Sequence, residues 1–250
     1  MTGFVVYDVF TDTAFGGNQL AVIPDAAAIP EADLQKIARE FNFSETTFVY
    51  PPSDPNHTAK VRFFTPTTEV RFAGHPTIGT AIALREAGQS GDMVLELGIG
   101  PIPCTFDTQG AAFTVAKPLE RLCTPDVALV AAALGLPVDA IDTTVHPPTQ
   151  ASLGLPFVIV MLTSQAHLAA CTPSIDDIRR GAALHPAGLD FAIYAYVRDD
   201  DQIVARMFAP LDNIPEDPAT GSAAATLAAL LTEAQGAPQT LHIMPGIAMG

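Results

Sequence analysis

One segment of this chain occurs twice, and that repetition constrains the fold more than any other feature. The first copy, R-F-F-T-P-T-T-E-V-R-F-A-G-H-P-T-I-G-T-A, spans residues 62–81, and the second, R-M-F-A-P-L-D-N-I-P-E-D-P-A-T-G-S-A, spans residues 206–223. Both open with Arg-x-Phe-x-Pro, and both close with Pro-x-x-Gly, then Thr or Ser, then Ala. Two such strings in the same order indicate an internal duplication.

Each copy reads as a strand, a tight loop and a buried helix, because a long apolar run follows the proline. The shared string places His75 and Asp217 at equivalent positions, each directly before that proline. Each copy also presents a helix N-terminus, whose free N–H groups and dipole favour an anion. Both loops could be structural turns, but two copies favour a carboxylate site between the halves, with the N–H groups of Gly74, Gly221 and Ser222 as donors.

The duplication predicts two halves of similar size, residues 1–117 and 118–250, with the boundary at Lys117-Pro118. Apolar residues make up 48% of the chain and charged residues 16%, with no apolar run long enough to span a membrane. The net charge of −15 disfavours binding to nucleic acid or to an anionic membrane surface. The N-terminus lacks a basic segment followed by an apolar one, so we expect a cytoplasmic protein.

Two polar residues outside the repeat are candidates for the site. Asn18 lies in a glycine-rich loop, where it is ordinarily a turn residue, although its amide could reach a substrate. Glu45 enters an aromatic strand, where it either points to solvent or is desolvated into a proton-transfer group. In the second half, Asp190 falls near the place of Glu45. Motifs for metal, nucleotide or serine-nucleophile sites are missing from the sequence, so we expect neither a cofactor nor a metal.

Four stretches together carry a family resemblance. They are D-V-F-T-D-T-A-F-G-G-N-Q-L-A-V (residues 8–22), F-S-E-T-T-F-V (43–49), F-A-G-H-P-T-I-G-T-A (72–81) and E-D-P-A-T-G-S-A (216–223). In this order, over nearly the whole chain, they closely resemble the phenazine-biosynthesis PhzF-like proteins. The resemblance implies an α/β (α+β) fold of the diaminopimelate epimerase-like class: two pseudo-symmetric domains, each a curved mixed sheet around a central helix, with the active site in the cleft between them.

The resemblance also implies chemistry: cofactor-independent isomerisation of a small carboxylate by proton transfer. The family's acid/base glutamate corresponds to Glu45, which overturns the solvent-exposed alternative, and its other site residues correspond to His75, Asp217 and Ser222. It further implies a homodimer, and final strands beyond residue 250 that belong to the first domain.

Two alternatives to the isomerase stay open. An amino-acid racemase or epimerase needs a base on each face of the stereocentre, and here only Glu45 with His75 or Asp217 could serve. The thiol pair of related epimerases is not found in the corresponding segments. A non-catalytic carboxylate-binding protein of the same fold is the second alternative.

Overall fold

Strands rich in Val, Phe and Tyr build the sheet of the first 117 residues. The computed structural model describes residues 3–108, 110–187, 189–200 and 202–245, and the chain divides into two units, Met1–Lys117 and Pro118–Gly250. The first unit holds helices α1 (Glu31–Phe41) and α2 (Gly74–Glu86) and eight strands: β1 (Val5–Val9), β2 (Asn18–Ile23), β3 (Glu45–Tyr50), β4 (Ala59–Phe64), β5 (Glu69–Val70), β6 (Met93–Leu97), β7 (Gly100–Phe106) and β8 (Ala111–Phe113).

These strands form one mixed sheet that curves around α2. The order is β1-β2-β3-β4-β6-β7-β8, with β5 paired to β4, and the pairs β2/β3 and β4/β6 are parallel. Strands from both ends of this order contact α2. Nine of its thirteen residues are buried, as expected of a helix that is apolar on all sides. Gly79 permits the close approach, because a Cβ there would lie 2.5 Å from Leu20 Cδ2.

Helix α1 covers another part of the sheet. Its apolar stripe places Leu34 and Ala38 against Ile23, Phe48 and Phe64 of three neighbouring strands. An amphipathic stripe of this kind predicts one buried face from the sequence. The helix ends at Asn42, which adopts the left-handed conformation.

The two edges of this sheet remain apart. Among the described residues, β1 and β8 each pair on one side only. A cavity of about 660 Å³ is lined by both edges together with Ile78 and Ile82 of α2. Several large apolar side chains on and beside β1 are exposed: Phe4, Val5, Val6, Phe10 and Phe15.

The second unit repeats this plan. Its strands are β9 (Glu120–Cys123), β10 (Ile141–Asp142), β11 (Thr149–Ser152), β12 (Pro156–Leu162), β13 (Ile193–Asp199), β14 (Gln202–Ala209), β15 (Ile214–Asp217) and β16 (His242–Pro245), and its helices are α3 (Val127–Ala133), α4 (Gln165–Ala170), α5 (Ile175–Leu184) and α6 (Gly221–Gln235). The sheet order is β15-β14-β13-β12-β11-β9, with β10 on β12 and β16 on β14. The pairs β12/β13 and β14/β16 are parallel, as β2/β3 and β4/β6 are in the first unit. Helix α6 contacts β11 and β12 and occupies the place of α2 in the chain order.

An arginine and a glutamate mark the repeat in both units. Arg62 on β4 donates two hydrogen bonds to Glu69 on β5, both 2.7 Å long. Arg206 on β14 donates two bonds of the same length to Glu216 on β15. Helices α2 and α6 each begin five residues after that glutamate. The arginine–glutamate pair therefore marks equivalent positions in the two units.

This register shows that the expected equivalence of His75 and Asp217 is wrong. His75 and Ser222 are each the second residue of a helix, whereas Asp217 is the last residue of β15. The shared Pro-x-x-Gly string begins inside the first turn of α2 at Pro76 but before α6 at Pro218. Proline is tolerated in both places. Aligning the two copies on this shared string therefore puts their helices out of register.

Candidate active site

Three polar side chains of the first unit meet at the start of α2. Strand β2 begins at Asn18 and β3 at Glu45, and because these strands run parallel, Leu20 pairing with Glu45, their starts lie at the same end of the sheet. Nδ1 of His75 lies 3.4 Å from Oε2 of Glu45 and 3.3 Å from Nδ2 of Asn18.

All three side chains are withdrawn from solvent. The side chain of Glu45 is 12% exposed and that of His75 2%, and Asn18 is 1% exposed. The solvent-exposed alternative for Glu45 is therefore wrong. Asn18 reaches His75, which adds a second role to its predicted place among the substrate-binding residues.

Burial also decides the charge of His75. Removing the ring from water penalises the imidazolium ion and lowers the pKa of His75 to about 3, while an interaction with the backbone of Gln19 acts weakly in the opposite direction. The ring is therefore neutral near pH 7. A neutral imidazole has one donor and one acceptor nitrogen, so it can share a proton with a carboxyl group.

Both central helices begin without a side-chain cap. Neither the side chain of Ala73, before α2, nor that of Thr220, before α6, accepts a hydrogen bond from an N–H group of the helix that follows it. The first-turn N–H groups, which include those of Gly74 and Gly221, are donors at the positive end of a helix dipole. The N–H groups at the start of each helix can donate hydrogen bonds to a carboxylate oxygen.

The predicted residues of the second unit cluster at the start of α6. Asp217 is 5% exposed, and the hydroxyl of Thr220 donates a hydrogen bond to it. Ser222 is buried in the first turn of the helix. Asp217 is thus placed to accept hydrogen bonds beside a group of helix N–H donors.

Tyr194 belongs to the same cluster and was not singled out by the sequence. It pairs with Met207 across β13 and β14, and Met207 pairs with Asp217 across β14 and β15, so the three side chains share one face of the sheet. Burial and the charge of Asp217 raise the pKa of Tyr194 above its usual range. Only the strand register, which the sequence does not display, reveals this neighbour.

Among the described residues of the second unit, no acidic side chain stands at the position of Glu45. The residues that pair with Arg62 and with Arg206 on the neighbouring strands are equivalent in the two units. Counting back the same number of residues from each makes Ala192 the equivalent of Glu45. Asp190, which the sequence predicts near this place, lies two residues before Ala192. The described residues also contain no cluster of three or more His, Cys, Asp or Glu side chains that could hold a metal ion, and no helix among them has the length and apolarity to cross a bilayer.

A curved mixed sheet around a buried helix, present in both units, defines the class of fold. A predicted epimerase from Pseudomonas aeruginosa has the same architecture, with a TM-score of 0.78 and 29% identity over 93% of this chain and 82% of its own. A hydroxyproline epimerase from Agrobacterium vitis, 13% identical with a TM-score of 0.51 over 88% of this chain and 75% of its own, shares the fold alone. The predicted diaminopimelate epimerase-like fold class is confirmed.

Sequence similarity identifies the family within this fold class. The model of the phenazine biosynthesis-like proteins matches residues 7–250. An uncharacterised isomerase of Mesorhizobium japonicum is 40% identical over 242 residues, 90% of this chain and 78% of its own length. The trans-2,3-dihydro-3-hydroxyanthranilate isomerase of Pseudomonas aeruginosa is 34% identical over 258 residues, 100% of this chain and 87% of its own. The chain belongs to the phenazine biosynthesis-like family and is an enzyme of the isomerase class.

Proposed function

We propose that this protein is a cofactor-independent isomerase that moves a proton on a small cyclic or amino carboxylate, with Glu45 as the acid/base. The observation that carries the proposal is the contact between Glu45 and the neutral, buried ring of His75. A carboxyl group that is partly desolvated and shares a proton with an imidazole can both give and take a proton.

The remaining residues suit recognition of the substrate. Near neutral pH a carboxylate can only accept hydrogen bonds, so Asp217 fits a substrate amine or hydroxyl. The substrate's own carboxylate fits the N–H groups at the start of α2 or α6, near Gly74, Gly221 and Ser222. The compound named for the Pseudomonas relative, a dihydro-hydroxyanthranilate, carries a carboxylate, an amine and a hydroxyl.

Deuterium incorporation tests the proposal. The protein is incubated in D₂O with trans-2,3-dihydro-3-hydroxyanthranilate and a panel of other small cyclic and amino carboxylates, and deuterium on carbon is followed by NMR. We expect exchange or isomerisation that falls on the order of 10²- to 10⁴-fold in Glu45→Gln. Glu40→Gln, an exposed glutamate on the neighbouring helix α1, is the matched control and should retain native turnover.

The same experiment separates the alternatives. Inversion of a stereocentre without migration of a double bond would indicate a racemase or epimerase. A carboxylate that stabilises the protein against heat but gains no deuterium would indicate a binding protein. Full turnover in Glu45→Gln with any accepted substrate would overturn the role of Glu45.

A further inference from the structure

The nitrogen Nδ1 of His75 has two polar neighbours with different requirements. Nδ2 of Asn18, an amide nitrogen, lies 3.3 Å away, and Oε2 of Glu45 lies 3.4 Å away. An amide NH₂ only donates hydrogen bonds, whereas a carboxyl oxygen accepts when ionised and can donate when protonated. The state of Nδ1 therefore determines which form of Glu45 it favours.

We infer that Asn18 is a positioning residue that fixes the tautomer of His75, and through it holds Glu45 in its protonated, proton-donating form. A hydrogen bond from the Asn18 amide occupies the lone pair of Nδ1, which places the ring hydrogen on Nε2. An ionised carboxylate oxygen beside this electron-rich nitrogen is repelled, whereas a neutral carboxylic acid is not, and its hydrogen can share the lone pair of Nδ1 with the Asn18 amide. The inference rests on the proposed acid/base role of Glu45 and adds the residue that sets its resting form.

The backbone around Asn18 supports a fixed position for its amide. Asn18 pairs with Val9 at the start of β2, and Gly17 before it has a φ of 64°. A Cβ at Gly17 would lie 2.3 Å from the carbonyl oxygen of Val9, so this turn requires glycine. A side chain on such a constrained turn, buried beside the ring, can select a tautomer.

His146 supplies an internal reference with the opposite tautomer. Its Nδ1 lies 2.7 Å from the carbonyl oxygen of Pro147, which only accepts, and its Nε2 lies 2.8 Å from the hydroxyl of Tyr196. Its ring hydrogen is therefore on Nδ1. One spectrum of the native protein can compare the two histidines directly.

Long-range ¹H–¹⁵N NMR of protein labelled with ¹⁵N-histidine tests the inference without requiring a substrate. Signals are assigned by their loss in His75→Gln and His146→Gln. We expect an unprotonated Nδ1 and a protonated Nε2 for His75, and the reverse for His146. A proton on Nδ1 of His75 in the native protein would overturn the inference even if every Asn18 variant failed to fold.

Two variants test whether Asn18 determines the tautomer of His75. Asn18→Asp supplies an acceptor and Asn18→Leu removes the hydrogen bond, so both should shift His75 toward the Nδ1–H form. With an accepted substrate, Asn18→Leu should lower kcat roughly ten- to a hundredfold, a larger effect than its effect on KM. Asn42→Asp, an exposed asparagine of the same unit, should leave the spectrum native. An unchanged tautomer in both Asn18 variants would show that Asn18 does not set it.

Discussion

Lowering the pH should destabilise the first unit through His75. Burial holds the pKa of this ring at about 3, against about 6.5 in an unfolded chain. Between these values the unfolded state binds a proton that the folded state excludes, so the free energy of unfolding falls as the pH falls. At about 1.4 kcal/mol per pH unit, the loss reaches roughly 2 kcal/mol at pH 5 and about 5 kcal/mol as the pH approaches 3.

The decrease in the free energy of unfolding is measured by urea unfolding of the native protein and of His75→Gln at about pH 7.5 and about pH 5. The chain contains no tryptophan, so unfolding is followed by circular dichroism. Because a chain of two units need not unfold in a single step, hydrogen exchange in peptides from α2 identifies whether the first unit loses stability. We expect His75→Gln to lose about 2 kcal/mol less than the native protein over this interval, and His242→Gln, at an exposed histidine, to behave as the native protein does.

Two results would refute this reasoning. Equal losses in the native protein and His75→Gln would show that the ring is not the source of the pH dependence. An NMR titration in which His75 gains its proton near pH 6.5 would mean that an ionised Glu45 offsets the effect of burial. That result would also contradict the protonated form of Glu45, which is inferred from the contact between Asn18 and His75.

Three further predictions concern the second unit. Arg206→Lys removes the paired hydrogen bonds to Glu216 and should lower stability by about 1–3 kcal/mol in urea unfolding; an unchanged midpoint would contradict it. Gly181→Ala places a Cβ 2.4 Å from the buried ring of Phe191 and should cost about 1–3 kcal/mol, seen as a lower melting temperature, whereas native stability would show that the ring can move. Asp217→Asn should weaken the binding of an amine-bearing carboxylate measured by calorimetry, and equal affinity would remove Asp217 from amine recognition.

The duplication and the family stretches predicted the fold class, because both rest on long sequence patterns. The same string misled the alignment of the two copies: a proline within the first turn of α2 and one before α6 look identical in sequence. The paired residues Arg62/Glu69 and Arg206/Glu216 give the correct register, since each pair is held across neighbouring strands.

The environment of Glu45 could not be predicted from its neighbours in sequence. The strand alone allows either exposure or burial of Glu45, and its burial comes from the fold, which brings the start of α2 to the start of β3. Tyr194 is a similar case, because its closeness to Asp217 depends on pairing across three strands. Local sequence predicts which residues form strands, but not which strands become neighbours.

The open edge at β1 has a consequence for how copies of this protein behave in solution. Its exposed apolar side chains, Phe15 among them at 95% exposure, attract one another at short range. A strand that pairs on one side only among the described residues, as β1 does, can be extended by another chain. The net charge of −15 opposes this by keeping copies apart, but only over the Debye length, about 30 Å in 0.01 M salt and about 8 Å at physiological ionic strength. Colloidal stability should therefore decline as salt is added, with self-association beginning at this edge.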